Sequence, residues 1–188
     1  MGSIDCVKNK IEVVIRKSPV PEDPIHAKNT LEWLLKLKPD ADDALKISAL
    51  GHDIERAIEH RKVKRKDYKN YDEFKRAHAL NSAKIFEEIM NECNVRKELT
   101  EDVFYLVSHH EKGGDDRVNV LMYADSISFF QVNLPYYFVR NGLEETLRRC
   151  LWGFKKLPYH LRRIVAEFDY GDENLETIIM NCIDTIRI

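Results

Sequence analysis

The chain contains no run of about 18 apolar residues, the length needed to cross a bilayer, and no basic segment followed by an apolar block at its start. A membrane span and a signal peptide are therefore not expected, and a cytoplasmic location is the default expectation. Glycine and proline are scarce, at seven and six of 188 residues, which disfavours a turn-rich β architecture and favours long helices. Cys6, Cys93, Cys150 and Cys182 lie far apart, and no pair has the close spacing of a zinc or redox motif. They read as scattered, largely buried thiols and point to a reducing compartment. The net charge of -2 gives no global pull toward nucleic acid or acidic membranes, so a nucleic-acid partner is not expected.

What remains is an ordinary globular balance, 44% hydrophobic and 33% charged, in a length that suits one domain with a sizeable core. Apolar periodicity predicts helices over about 4–17, 25–37, 43–60, 71–93, 101–112, 116–132, 142–154, 158–169 and 172–187. Breakers separate them: Pro19, Pro21 and Pro24, then Pro39 with the acidic stretch after it, Gly113-Gly114, Asn141-Gly142, Pro158 and Gly171. Thr100 is read as the start of the fifth helix. No alternating strand pattern and no internal repeat is visible. The fold class is all-α, a single-domain helical bundle. Residues 61–69 hold six basic residues in nine, either a solvated loop or a phosphate-attracting one.

Two aspartates sit where a charge is costly. Asp53 follows Leu50 by three on the apolar stripe of Ile47, Leu50, Ile54, Ala57 and Ile58. Asp125 lies among Val118, Leu121, Met122, Phe129 and Val132. A carboxylate facing a core needs a partner or a metal, and no Arg or Lys shares either stripe at helical spacing. His26, His52, His78, His109 and His110 fall on apolar or semi-apolar helix faces. Imidazoles and carboxylates converging from several packed helices are what a buried divalent-cation site requires. Of the adjacent pair, His110 continues the face of Val103, Leu106 and Val107, but either histidine remains open as a ligand.

The ordered set His26, His52-Asp53, His78, His109 or His110, Asp125 resembles the HD-domain superfamily of metal-dependent phosphohydrolases. Ala-Leu-Gly-His-Asp-Ile, Tyr-Ala-Asp-Ser and His-His-Glu-Lys-Gly-Gly are the local matches, and the resemblance covers about residues 22–130, with 136–188 as supporting helices. It implies one metal on His26, His52, Asp53 and Asp125. It implies a second on His78 and one or both of His109 and His110, with Asp53 bridging. The metals would be Fe, Mn or Mg, and Glu22 is a candidate carboxylate for a third. The implied activity is cleavage of a phosphomonoester or phosphodiester of a nucleotide or other small phosphorylated metabolite, by attack of a metal-bound hydroxide. Asp53, Arg56 and Lys112 are the catalytic candidates, and Lys28, Lys64, Arg65 and Lys66 follow as sources of positive charge. Glu55 is a candidate for orienting a water or a histidine. Two departures separate the chain from the cyclic-dinucleotide branch: the Gly-Tyr-Pro signature is missing after Gly113-Gly114, and the interval from His110 to Asp125 is short. Gly51 also stands where a larger apolar residue is common. Alternatives from other classes are a non-catalytic metal- or nucleotide-binding regulatory domain and a diiron oxygenase of the same type. A homo-oligomer is possible.

Overall fold

Short polar side chains decide where several helices begin. Asp42 accepts from the Leu45 N–H at 2.9 Å and starts α3, Asp43–Gly51; Asn70 accepts from Glu73 N–H at 2.8 Å and starts α4, Tyr71–Glu92. Asp115 accepts from the Arg117 and Val118 N–H groups and starts α6, Asp116–Ser128. Each cap satisfies donors that a helix end leaves unpaired. The computed structural model describes residues 2–186. It is all-α, with no strand among the described residues. The other helices are α1, Ser3–Ile15; α2, Asp23–Leu37; α5, Lys97–His109; α7, Leu134–Lys156; α8, Tyr159–Ala166; and α9, Glu173–Ile186. No helix of the described residues is long and apolar enough to cross a membrane.

α4 packs along α5, α2 along α6, and α7 along α9, while α3 is held between α1, α2 and α5. The core they share is apolar and centred on Leu34, Leu45, Ile47, Phe86, Leu106, Leu121 and Phe130, all fully buried.

Four main departures separate the observed elements from the sequence expectation. The third helix was expected to reach His60 but ends at Gly51; His52 caps it, Asp53 leaves helical geometry, and a 3-10 turn, Ile54–Ala57, follows. The fifth helix starts at Lys97, not after Thr100, whose hydroxyl donates back to the Arg96 carbonyl at 3.2 Å instead of capping. The sixth stops at Ser128 and passes through a π turn, Phe129–Asn133. The segment before Asn141-Gly142, which periodicity leaves outside a helix, is helical from Leu134, with Gly142 at φ 75° kinking the run. The last helix ends at Ile186, and position 187 of its expected range lies outside the described residues.

The cysteines also differ. Cys6 on α1 and Cys93 at the end of α4 form a disulfide across 87 residues of sequence, so two cysteines, not four, are free; Cys150 and Cys182 are buried. Linear spacing hides this pair because only the packing of α1 onto the end of α4 brings it together. The inference of a reducing compartment loses its basis in four thiols. Closing a loop of this length stabilises the fold by on the order of 4 kcal/mol in the chain-entropy limit. Thiol titration of the denatured, unreduced protein should therefore find two thiols, and Cys93→Ser should lower the urea midpoint.

Candidate metal centre

Four imidazoles turn the same edge toward one point. His26 comes from the first turns of α2, His52 from the end of α3, His78 from the middle of α4, and His110 from the residue after α5. Each anchors Nδ1 elsewhere. His26 Nδ1 donates to Ser128 Oγ at 2.8 Å, because that hydroxyl spends its own proton on the His26 carbonyl. His52 Nδ1 donates to the Ala49 carbonyl at 3.1 Å, His78 Nδ1 to Glu55 at 2.6 Å, and His110 Nδ1 to the Val107 carbonyl at 2.6 Å. These bonds fix the ring orientations and leave every Nε2 inward, the arrangement typical of metal-ligating histidines.

The inward atoms form two groups that could hold a metal ion: His26, His52 and Asp125, and Asp53, His78, His110 and Glu111. In the first, His26 Nε2, His52 Nε2 and Asp125 Oδ1 are mutually 3.2 Å apart. Ligands held about 2.1 Å from a divalent ion at 90–109° stand roughly 3.0–3.4 Å from one another, so this triangle fits one face of a coordination sphere. In the second, Asp53 Oδ1 is 2.7 Å from His78 Nε2, and His110 Nε2 is buried without a hydrogen-bond partner, 3.5 Å from Glu111. A buried imidazole nitrogen with a free lone pair is the clearest mark of a ligand position. Asp53 also lies 3.9 Å from His26 Nε2 and 3.8 Å from His52 Nε2, so it stands between the groups.

Charge in the centre is tightly balanced. Burial opposes a charged ring at His52, but Asp53 and Asp125 outweigh it and hold its pKa up at about 9. Burial and Lys75 oppose the charge on His78, yet Asp53 and Glu55 raise it. Burial lowers His110. Burial works against ionising Asp53 and Asp125, and their imidazole neighbours overcome it, so both stay well below the usual carboxylate range.

Not every sequence candidate is here. Among the adjacent histidines the structure brings in His110 and not His109. Neighbours on a helix diverge by about 100°, and His109 faces out, with Nδ1 2.9 Å from the Tyr105 carbonyl and its ring against Tyr105. Lys112 is exposed and lines a different cavity. Arg56 does reach the centre, but its guanidinium is committed to Asp53 Oδ2 at 2.8 Å and Asp23 Oδ1 at 2.9 Å. It holds Asp53 in place and partly neutralises it. This corrects the expectation that no cation shares the stripe of Asp53 at helical spacing: Arg56 follows it by three residues, and the 3-10 turn keeps the two within reach. Glu22 is buried but belongs to neither group, since Arg140 takes both its oxygens. Lys28, Lys64, Arg65 and Lys66 are exposed and line no part of the centre; of the basic loop, Lys62 and Val63 reach its cleft. Glu55, besides His78, accepts from the Val63 N–H at 2.8 Å and from Asn81, and so ties that loop to α4.

Sequence reasoning named Arg149 and Tyr137 as possible pocket residues, and both line the cleft, but it missed Glu111, Asp23, Lys75 and Arg140. Glu111 pairs through its two oxygens with Lys75 and Lys156. Its signal was present, an acid directly after a histidine pair near the end of an apolar face, but nothing in the spacing distinguishes it from an exposed helix-end glutamate. The centre opens into a cleft of about 240 Å³ with Arg149, Lys75 and Arg140 on one hand and Tyr71, Phe74, Phe129 and Tyr137 on the other.

Gly51 explains itself here. A Cβ at this position would lie 2.6 Å from Phe86 Cζ and 3.0 Å from Ile11 Cγ2. Gly51→Ala should destabilise the protein by about 1–3 kcal/mol and weaken metal binding, because the displaced turn carries His52 and Asp53; calorimetric unfolding and metal titration check both effects. A second expectation concerns pH in the metal-free protein. With its folded pKa above the unfolded value of about 6.5, His52 contributes stability that is complete below that pH and lost as pH rises through about 9. Urea midpoints should fall between pH 6 and 9.5, by on the order of 2–3 kcal/mol from this ring. Asp125→Asn should flatten that part of the profile.

Comparison with known proteins adds a family. No curated protein and no solved structure matches the chain. Residues 6–178, nearly the whole chain, match one family model, and the protein belongs to the family it describes, a domain of unknown function (DUF4202).

Proposed function

We propose that this protein is a metal-dependent phosphohydrolase of the HD type, acting on a nucleotide or another small phosphorylated metabolite. The observation that carries the reading is the set of four histidines with Nδ1 anchored and Nε2 inward, around Asp125 and Asp53. His26, His52 and Asp125 would hold one divalent ion; His78 and His110 would hold a second, with Asp53 reaching both, while Glu111 stands beside His110 with its two oxygens paired to Lys75 and Lys156. Such ions supply Lewis acidity toward a phosphoryl oxygen and a water acidified into the neutral range.

The chain's own residues do the rest. Arg149, Lys75 and Arg140 line the cleft beside the centre; Lys75 and Arg140 are paired with Glu111 and Glu22, and Arg149, which makes no ion pair among the described residues and has Nη1 buried without a partner, is the donor for phosphate oxygens. Arg149 lies over the Phe129 ring at 3.8 Å, which holds its guanidinium in a defined plane. Tyr71, Phe74 and Tyr137 offer apolar and aromatic surface suited to the organic part of a nucleotide. Arg56 acts as a positioning residue through Asp53, not as a free donor to substrate. Glu55 fixes the tautomer of His78.

Elemental analysis of protein purified without chelators should find two equivalents of iron, manganese or magnesium. Phosphate release from a panel of phosphate esters with added Mn²⁺ should be abolished in Asp53→Asn together with metal content. Glu55→Ala should cost roughly 10–100-fold in metal affinity or activity, the usual price of losing a ligand's orienting partner. Metal-loaded protein that releases phosphate from no ester in a broad panel would defeat the phosphohydrolase reading while leaving the metal centre intact.

A further inference from the structure

Lys75 lines two cavities. One is the cleft at the metal centre; the other is larger, about 520 Å³, and lies across α4 from it. That volume is within the range of small-molecule sites, about 300–1,000 Å³. Five cations face it: Lys75 and Arg76 on α4, Lys112 after α5, and Lys155 and Lys156 at the end of α7. The carboxylates in its wall are Asp72 and Glu111, and both are engaged. Glu111 is held between Lys75 and Lys156, and Asp72 accepts from Trp152 Nε1 at 3.0 Å. Arg76, Lys112 and Lys155 are exposed and make no ion pair among the described residues.

The excess is local, since the whole chain carries -2. Like charges gathered from three elements around one cavity repel one another unless an anion joins them. The aromatic in the wall narrows the class of anion. Lys156 lies 3.9 Å and Arg149 4.6 Å from the centroid of Trp152, and Tyr71 meets the same ring edge-on at 4.9 Å. A ring so covered is a poor platform for stacking a base. The cavity thus offers charge without a base-recognition surface.

We propose that this cavity is a second anion site, distinct from the metal centre, that takes a compact polyphosphate or another small molecule bearing several phosphate groups. Lys75 and Lys156 form its floor, and Arg76, Lys112 and Lys155 form its rim. The site stands on its own geometry and does not depend on the phosphohydrolase reading. Through Lys75 and Glu111 it adjoins the metal-centre residues.

The test is calorimetric titration of the full chain with inorganic tripolyphosphate in the presence of EDTA, so that no divalent ion in the cleft recruits the probe. Saturable binding is expected, weakening as salt is raised. The double variant Arg76→Ala/Lys155→Ala removes two exposed rim charges and should lower affinity by roughly ten- to a hundredfold. Arg140→Ala, which alters the metal-centre cleft, should leave it unchanged. Absence of saturable binding, equal affinity in the double variant, or loss of binding in Arg140→Ala instead would each overturn the proposal. Tryptophan fluorescence gives a second readout, because an anion that draws Lys156 off the Trp152 ring changes its emission.

Discussion

Two carboxylates buried among histidines set the terms for the rest of this protein. Asp53 and Asp125 are charged in a place where an isolated charge would be costly. They stay charged because imidazoles from three helices and Arg56 surround them. Each of those imidazoles is itself held at Nδ1 by a carbonyl, a hydroxyl or a carboxylate. The fold supplies the holders: α2 sits on α6 so that Ser128 reaches His26, and the 3-10 turn Ile54–Ala57 packs on α4 so that Glu55 reaches His78. Removing one element of this arrangement leaves another group unsatisfied, which is why so many helices converge on a site of so few atoms.

The balance explains the ambiguous status of Arg56. A guanidinium beside a bridging carboxylate can serve the substrate or the carboxylate. Its bonds to Asp53 and Asp23 place it with the carboxylate. The other cations of the cleft, Arg149, Lys75 and Arg140, come from other helices and were invisible as a set in the linear chain.

Much of this was legible in the sequence. Periodicity gave the helical class, and the stripes of Asp53 and Asp125 flagged two charges that required partners. The face of Val103, Leu106 and Val107 pointed to His110 over His109, and the structure puts His110 inward by the same helical geometry. What was not legible depends on where regular geometry stops. The helix of the His52-Asp53 pair ends at Gly51, so i, i+3 reasoning beyond that point described a surface that does not exist. Glu111 and the Cys6–Cys93 bond come from packing between elements far apart in sequence, which no local pattern encodes.

Gly51 and Phe86 occupy what is in effect one volume. The ring of Phe86 fills the space that a side chain at position 51 would need, and Ile11 closes it from the other side. Phe86 belongs to α4, two turns beyond His78 on the same helix, while Gly51 immediately precedes His52. A candidate ligand from each group is therefore seated by one shared contact. A larger residue at 51 would need a smaller one at 86 and room beside Ile11. The spacing between the halves of the centre thus rests on a glycine and a phenylalanine that belong to neither group.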